Sequence, residues 1–359
     1  MPAPIPPALV LVVNAGSSSL KASLVDGRGQ RPWQQQRSLD PGAAGGVEAL
    51  LEGWLLPEIT PWLPRLERIA HRVVHGGERF TAPTALTPAV VEALEALVPL
   101  APLHNAAALE AIRWFSAWGE AQAPGLRQWA CFDTGFHATL PEAARTYAIP
   151  AGWRAAGLRR FGFHGLSHQH VAEQVAVLRP GARRLISCHL GAGCSLCAIR
   201  LDPSTGPRSV ATTMGFTPLE GLVMASRSGS VDPGLLLHQL RQGLTPEAID
   251  EALQCHSGLL GLSELSGDMR TLRQAAAQGH QGAQLALAVF RQRLLEGIGA
   301  MAACLQGVEV IALTGGIGEH DQSLVGELGA ALGWLEPFTL LQVSADEEGL
   351  MARLCREAG

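Results

Sequence analysis

The chain is poor in charge and in aromatic rings. Charged residues fill 16% of its 359 positions and aromatic residues 5%, with a single tyrosine. Lys plus Arg (27) falls below Asp plus Glu (32), a formal net charge of −5. General nucleic-acid binders carry a basic excess because phosphate contacts need cations, so nucleic acid is not an expected partner. No stretch reaches the roughly 18 uninterrupted apolar residues of a spanning helix, and no membrane partner is expected. The proline-rich start lacks the basic segment and cleavage site of a signal peptide, and reads as a short frayed arm. A soluble, cytoplasmic protein is expected. Seven scattered cysteines, an odd number, fit reduced thiols better than a disulfide framework. Cys194 and Cys197 form a C-x-x-C near His189 but have no second pair at finger spacing, so they read as small buried residues. What is plentiful is apolar surface and glycine: 47% hydrophobic residues and 41 glycines. The first supplies a core and the length suggests about two domains.

Short β-branched runs read as strands at 9–13, 185–188 and 308–313. Ala/Leu/Glu-rich segments read as helices at 88–98, 105–118, 168–178, 247–254 and 282–306. The mixture indicates an α/β class. Segment 26–64 reads as connection plus one helix near 47–56. A faint repeat is visible. Asn14 to Leu20 and His189 to Leu196 each follow one apolar strand and precede another, about half the chain apart.

Several motifs carry chemistry. The turn from Asn14 to Lys21 exposes backbone N–H groups and hydroxyls suited to an anion, and Lys21 adds a cation. The turn Gly191-Ala-Gly-Cys-Ser195 offers similar backbone without a lysine. Thr314-Gly-Gly-Ile-Gly-Glu319 directly follows a strand, a design that lets a nucleotide lie against backbone. It is neither a dinucleotide fingerprint nor a P-loop. Arg72, His164 and Arg227 stand at loop–strand junctions in apolar surroundings, as stabilising a transferring phosphoryl group requires. Asp133 follows a short strand and Glu347 opens the last helix. Either could serve Mg²⁺, though for Glu347 the spacing alone better fits a first-turn acid favoured by the helix dipole.

Together these motifs resemble the acetate kinase family. Nine match in order: V-N-A-G-S-S-S-L-K, H-R-V-V-H-G-G-E, A-P-L-H-N, F-D-T-G-F-H, R-R-F-G-F-H-G-L-S-H, H-L-G-A-G-C-S, M-G-F-T-P-L-E-G-L, S-G-L-L-G-L-S and T-G-G-I-G-E. The resemblance implies the duplicated two-lobe actin/sugar-kinase/heat-shock-ATPase fold, ribonuclease H-like, with an interlobe cleft. One lobe would hold 1–135 plus 348–359 and the other 136–347. It implies reversible transfer between ATP and acetate to give ADP and acetyl phosphate, with Mg²⁺ (or Mn²⁺), in a homodimer. By motif position, Arg72 and Arg227 would bind the acetate carboxylate and the phosphoryl group. His164 would stabilise the transition state, and His104 would contact phosphate. Asp133 would orient acetate or a magnesium-bound water, and Asn14 and Glu347 would hold the metal. Asn14, Ser17, Ser19 and Lys21 would form the first phosphate loop, and His189, Gly191 and Gly193 the second. Val74, Leu103, Phe163 and Pro218 would wall the acetate pocket. Asp268, Met269, Arg270, Gly315, Gly316, Ile317 and Gly318 would surround adenosine.

The chain departs from the family pattern mainly on the nucleotide side. Ala192, Ala211 and Ser230 stand where the family has Asn, Asp and Asp, Leu166 where it has Thr, and Met269 where an aromatic usually faces adenosine. Altered affinity for the phosphoryl donor, or a donor other than ATP, is therefore an expectation. Propionate or butyrate as acceptor, and a non-catalytic nucleotide-binding regulator of the same fold, are the alternatives.

Overall fold

A computed structural model describes residues 8–16, 19–39 and 46–358, the side chains of 102–104 excepted. The chain forms two compact units, Met1–Phe136 with Asp346–Gly359, and His137–Ala345. Glu347 thus belongs to the first. Among the described residues no helix is long and apolar enough to cross a membrane.

The first unit carries β1 (Leu9–Ala15), β2 (Ser19–Asp26), β3 (Trp33–Ser38), β4 (Leu66–Val73), β5 (Thr84–Ala85) and β6 (Arg127–Phe132), in sheet order β3-β2-β1-β4-β6-β5. The second carries β7 (Arg184–Leu190), β8 (Cys194–Asp202), β9 (Gly206–Thr212), β10 (Val310–Thr314) and β11 (Thr339–Gln342), in order β11-β10-β7-β8-β9. Without β5 the two sheets have one topology. An antiparallel three-strand meander (β1-β2-β3, β7-β8-β9) leads, and two parallel strands join its first member (β4-β6, β10-β11). The repeat faintly visible in the sequence is therefore a duplication of the whole sheet.

The helices that matter for the core and the site are α1 (Pro88–Glu95), α2 (Pro102–Gln122), α3 (Gly165–Leu178), α4 (Pro233–Arg241), α5 (Pro246–Cys255), α6 (Met269–Ala277), α7 (Gln281–Leu305), α8 (Gly315–His320) and α9 (Glu347–Glu357). In β1, Leu9 to Val13 are all buried to 1% exposure or less. A strand buried on every residue has both faces covered, and helices α2 and α9 both pack on β1 and β4. In the second unit α3 and α7 pack on β7 and β8. The inward side of α7 runs Ala283, Ala286, Phe290, Leu294, Ile298 and Met301, at the three- and four-residue intervals of one helix face.

The segment 26–64 differs from its reading as connection plus one helix. Its helix is present, but β3 is an additional strand, hydrogen-bonded to β2. The strand Trp33-Gln-Gln-Gln-Arg-Ser38 lies at the sheet edge with mostly exposed side chains, so it has no apolar alternation to betray it. In the helical run from 46 to 59, Val47, Leu51, Leu55 and Ile59 enter the core four residues apart. That spacing is wider than a 3.6-residue turn, and a π-helical turn at Leu51–Leu55 absorbs the drift.

Candidate active site

In the first unit the candidate residues gather at the ends of β1, β4 and β6. Asn14 and Lys21 are paired across the β1–β2 hairpin. Its turn is closed by the Gly16 N–H donating to the Ser19 carbonyl at 2.9 Å. Ser17 lies outside the described residues, as do the side chains of Leu103 and His104. Arg72, next to last in β4, makes a two-pronged ion pair with Asp133: Nε to Oδ1 at 3.0 Å and Nη2 to Oδ2 at 2.5 Å. Its Nη1 reaches Asn14 Oδ1 at 3.4 Å. Asp133 is 2% exposed, and its N–H donates to the Val73 carbonyl at 3.1 Å, so strand pairing fixes where the carboxylate points. Burial would lower the Arg72 pKa, but the charge and hydrogen bonds of Asp133, then the charges of Glu347 and Glu348, carry it above its ordinary value. A guanidinium has five N–H donors and Asp133 takes two, so the fork keeps donors for a second anion.

Glu347 and Glu348 open α9, behind an Asp346 that caps the helix by accepting from the Gly349 N–H at 2.7 Å. Sequence reasoning named Glu347. It missed Glu348, which is buried and holds Lys21 Nζ at 2.5 Å from Oε1. Lys21 is the only lysine in the chain. The cation read as a free phosphate contact is thus already ion-paired. Two adjacent acids at a helix start were the only available signal, and packing decides which of them turns inward. Val74 is 8% exposed. The adjoining loop is pinned by Asn105, which accepts from the His75 N–H and donates to its carbonyl, both at 3.0 Å.

In the second unit three separate motifs meet at the turn between β7 and β8, closed by Gly191 N–H to Gly193 O at 3.0 Å. A Cβ on Gly193 would stand 3.1 Å from both Cε1 and Nε2 of His164 and 3.2 Å from Nη2 of Arg227. Only glycine lets both side chains close on the turn. Arg227 is braced by donating from Nη1 to the Pro218 carbonyl at 2.9 Å. His164 precedes α3 in a left-handed conformation, φ +56°, uncommon outside glycine and frequent at functional sites. The His189 ring lies 4.3 Å from that of His164, and its Nδ1 meets Ser167 Oγ at 2.8 Å. Phe163 is 1% exposed, its carbonyl hydrogen-bonded to His137 Nε2 at 2.9 Å.

Nearby in the same unit, Gly191, Ala192, Asp268, Met269, Arg270, Gly316 and Ile317 line one cavity of about 830 Å³. Ala225, Gly267, Arg273 and residues 320–323 complete it and were not anticipated. Asp268 caps α6 by accepting from the Thr271 N–H at 3.0 Å. The hydrogen bond from Arg270, then that from Thr271, hold the Asp268 carboxyl below its usual range. Arg273 pairs with Asp321 and Glu327 at 3.0 and 2.6 Å, bracing the far wall. Gly315 and Gly318 are buried and do not line the cavity. Gly315 has φ +78° and sits where a Cβ would be 2.8 Å from the Leu190 carbonyl. It lets β10 turn into α8, while Gly316 leaves open space. A cavity of about 840 Å³ in the first unit, lined by Pro88, Glu92, Arg113 and Gly119, includes none of the candidate residues.

Cys194 and Cys197 are buried in β8, and burial pushes both thiols up to about 12. Among the described residues no three His, Cys, Asp or Glu side chains converge as a metal site. The C-x-x-C is part of the core.

The Acetokinase family model matches residues 34–353. An acetate kinase of Synechococcus is 42% identical over 97% of this chain and 98% of its own. That of Deinococcus radiodurans is 45% identical over 90% and 86%. Among solved structures, an acetate kinase of Porphyromonas gingivalis superposes with a TM-score of 0.85 at 30% identity, covering 96% of this chain and 98% of its own. A propionate kinase of Francisella tularensis gives 0.86 at 29%, covering 97% and 98%. With the family model spanning most of the sequence and a relative 42% identical over nearly the full length of both chains, this chain belongs to the acetokinase family.

Proposed function

We propose that the protein is an acetate kinase, transferring the terminal phosphoryl group of ATP directly to acetate, reversibly, to give acetyl phosphate and ADP. The observation that carries this is the meeting of His164 and Arg227 on the Gly193 turn, beside a cavity large enough for a nucleoside. A carboxylate is already a nucleophile, so no general base is required. Catalysis reduces to holding two anions in line and neutralising charge on the phosphoryl oxygens. In this reading Arg72 spends its remaining N–H donors on acetate, while Asp133 fixes its plane. Arg227 and the His164 imidazole donate to the transferring group. In the same reading the hairpin from Asn14 to Lys21 and the Gly191–Gly193 turn take phosphate, and the Asp268–Arg270 and Gly316–Ile317 walls take adenosine.

The donor set also fits Mg²⁺ (or Mn²⁺). Asn14 Oδ1 and the Glu347 carboxylate are hard oxygens, both within the influence of Arg72, and Mg²⁺ takes only one or two carboxylates beside phosphate and water. When bound, the ion neutralises phosphate charge. Asn14 and Glu347 are the residues that would hold it.

Propionate is the second reading, since apolar walls such as Val74 discriminate one methylene by only about 1–3 kcal/mol. The protein is further proposed to be a homodimer. Helix α4 buries none of its residues, and Leu235, Leu237 and Leu240 on it are 41–51% exposed, with Val231 and Leu244 close by in sequence. An intracellular enzyme consuming ATP fits the cytoplasm.

The test is hydroxamate formation from acetate, propionate and butyrate with ATP, GTP or pyrophosphate and Mg²⁺. Acetate with ATP is expected to give the highest kcat/KM. No acyl hydroxamate from any pair would overturn the reading, and a pyrophosphate preference would overturn the choice of ATP.

A further inference from the structure

Behind His164 lies a line of buried polar groups for which transfer itself has no evident need. His164 Nδ1 is 2.9 Å from Ser195 Oγ, Ser195 Oγ is 2.8 Å from His168 Nε2, and His168 Nδ1 is 2.9 Å from Ser187 Oγ. Ser195, His168 and Ser187 are each 0% exposed. The line ends at Ser187, whose hydroxyl has His168 as its one hydrogen-bond partner among the described residues.

That dead end fixes the direction of every bond. A hydroxyl has one proton and two lone pairs. Burying its proton without an acceptor costs about 1–3 kcal/mol, whereas leaving a lone pair idle is milder. Ser187 therefore donates to His168 Nδ1. A neutral His168 then carries its proton on Nε2 and donates to Ser195 Oγ. The Ser195 proton goes to its other partner, His164 Nδ1. A neutral His164 is left with its proton on Nε2, on the ring edge that faces Gly193 and Arg227.

We infer that Ser187, His168 and Ser195 form a positioning relay that pins His164 in the Nε2–H tautomer, so that it presents a ready hydrogen-bond donor to the transferring phosphoryl group. The relay rests on the acetate kinase reading for its purpose, but not for its geometry. His168 acts through Ser195 and touches no substrate. Its own pKa lies well below the ordinary histidine value, from burial first and then from His137 and His189, in keeping with a neutral ring. The arrangement also opposes protonation of His164. An Nδ1–H there would meet the Ser195 proton head-on, and reversing the whole line would strand the Ser187 hydroxyl.

The experiment is a long-range ¹H–¹⁵N spectrum of the ¹⁵N-histidine-labelled protein near neutral pH. The His164 and His168 signals are assigned by their absence in His164→Gln and His168→Gln. In the native protein His164 is expected to show a pyridine-type Nδ1 and a pyrrole-type Nε2. His168 is expected to show the same pattern, and Ser187→Ala should keep it, because that variant idles only a lone pair at His168 Nδ1. Ser195→Ala should lower kcat by about 10–100-fold with KM for acetate and ATP within about 3-fold, the span of one lost catalytic donor orientation. Ser195→Thr restores the hydroxyl on a strand that tolerates β-branching, and should recover most of kcat. A native His164 or His168 protonated at Nδ1, or a Ser195→Ala kcat within twofold of native, would each overturn the relay. If the native protein forms no acyl phosphate, the function fails while the tautomer spectra, which need no substrate, still decide the relay.

Discussion

The pairing of the chain's single lysine with a buried glutamate makes a sharp stability experiment. Lys21→Met keeps the length of the stem and removes the ammonium. Glu348, with 6% side-chain exposure against 33% for Lys21, is then left without its counter-charge. Breaking one side of a buried pair costs about 3–5 kcal/mol. The carboxyl has an escape, which is to take up a proton. Holding a carboxylic acid neutral at pH 7, against a glutamate near 4.3 in the unfolded chain, costs about 3.7 kcal/mol at 1.36 kcal/mol per pH unit. That sets a ceiling, and the partial exposure of Lys21 brings the expected loss to about 2–3 kcal/mol at pH 7. At pH 5.5 the ceiling falls to about 1.6 kcal/mol by the same arithmetic, so the penalty must shrink as the solution is acidified. Glu348→Gln should cost less, since Lys21 can turn to water. The double variant should recover most of the loss, a coupling of about 2 kcal/mol. Urea unfolding of the four proteins at pH 7.0 and 5.5 measures all of this. A Lys21→Met penalty below about 1 kcal/mol, or one independent of pH, or a double variant no better than Lys21→Met, refutes the reasoning.

Two further outcomes are expected. His71 and His75 are held near pKa 4 mainly by burial, His71 despite its bond to Gln128. A histidine depressed from 6.5 takes its proton first in the unfolded chain, so the stability it lends is complete above about 6.5 and is lost between 6.5 and 4, by about 2 kcal/mol per histidine at pH 5. Equal urea midpoints at pH 7.5 and 5.0 would contradict this. Ala192→Asn adds an amide to a turn already fixed by the Ala225 N–H donating to the Ala192 carbonyl at 3.0 Å, on the wall of the nucleoside cavity. One bond to phosphate is worth about 1.5–3 kcal/mol, so kcat/KM for ATP should rise tenfold or more. An unchanged value would remove Ala192 from the donor site.

What the sequence made legible is what apolar runs and glycines mark. Strands β1, β7 and β10 are short, largely buried and bounded by small-residue turns, so both sheets and both phosphate-loop candidates could be read from composition in place. Strand β3 could not, because an exposed polar edge strand follows no apolar rhythm. Among the candidate residues, Arg72, His164 and Arg227 were identifiable as isolated polar groups among apolar neighbours. Their partners were not. Whether Glu347 or Glu348 turns inward depends on the first turn of α9 against the sheet. Ser187 and Ser195 carry no signal at all as serines in strands. His164 and His168 have the i, i+4 spacing of one helix face, which suggests direct contact. Because His164 lies outside α3 in the left-handed region, the two rings meet through Ser195 instead.

The duplicated sheet explains why the two glycine turns have come to do different work. In the first hairpin Asn14 pairs with Lys21, and in the second His189 pairs with Ser195, each one position in from the last pair of its ladder. Lys21 and Ser195 are thus the same place in two copies of one topology. A hairpin turn entered through a glycine stands at the same place in both copies, so the side chain beside it is free to differ. In one copy that place holds a cation, restrained by Glu348 from α9. In the other it holds a hydroxyl, whose single proton is committed to His164 by the line from Ser187. A lysine at Ser195 would bring three donors and no acceptor between two imidazoles, and neither ring's tautomer would then be set by its neighbour. The relay at the second turn therefore requires a residue that both accepts and donates, which a serine does and a lysine does not.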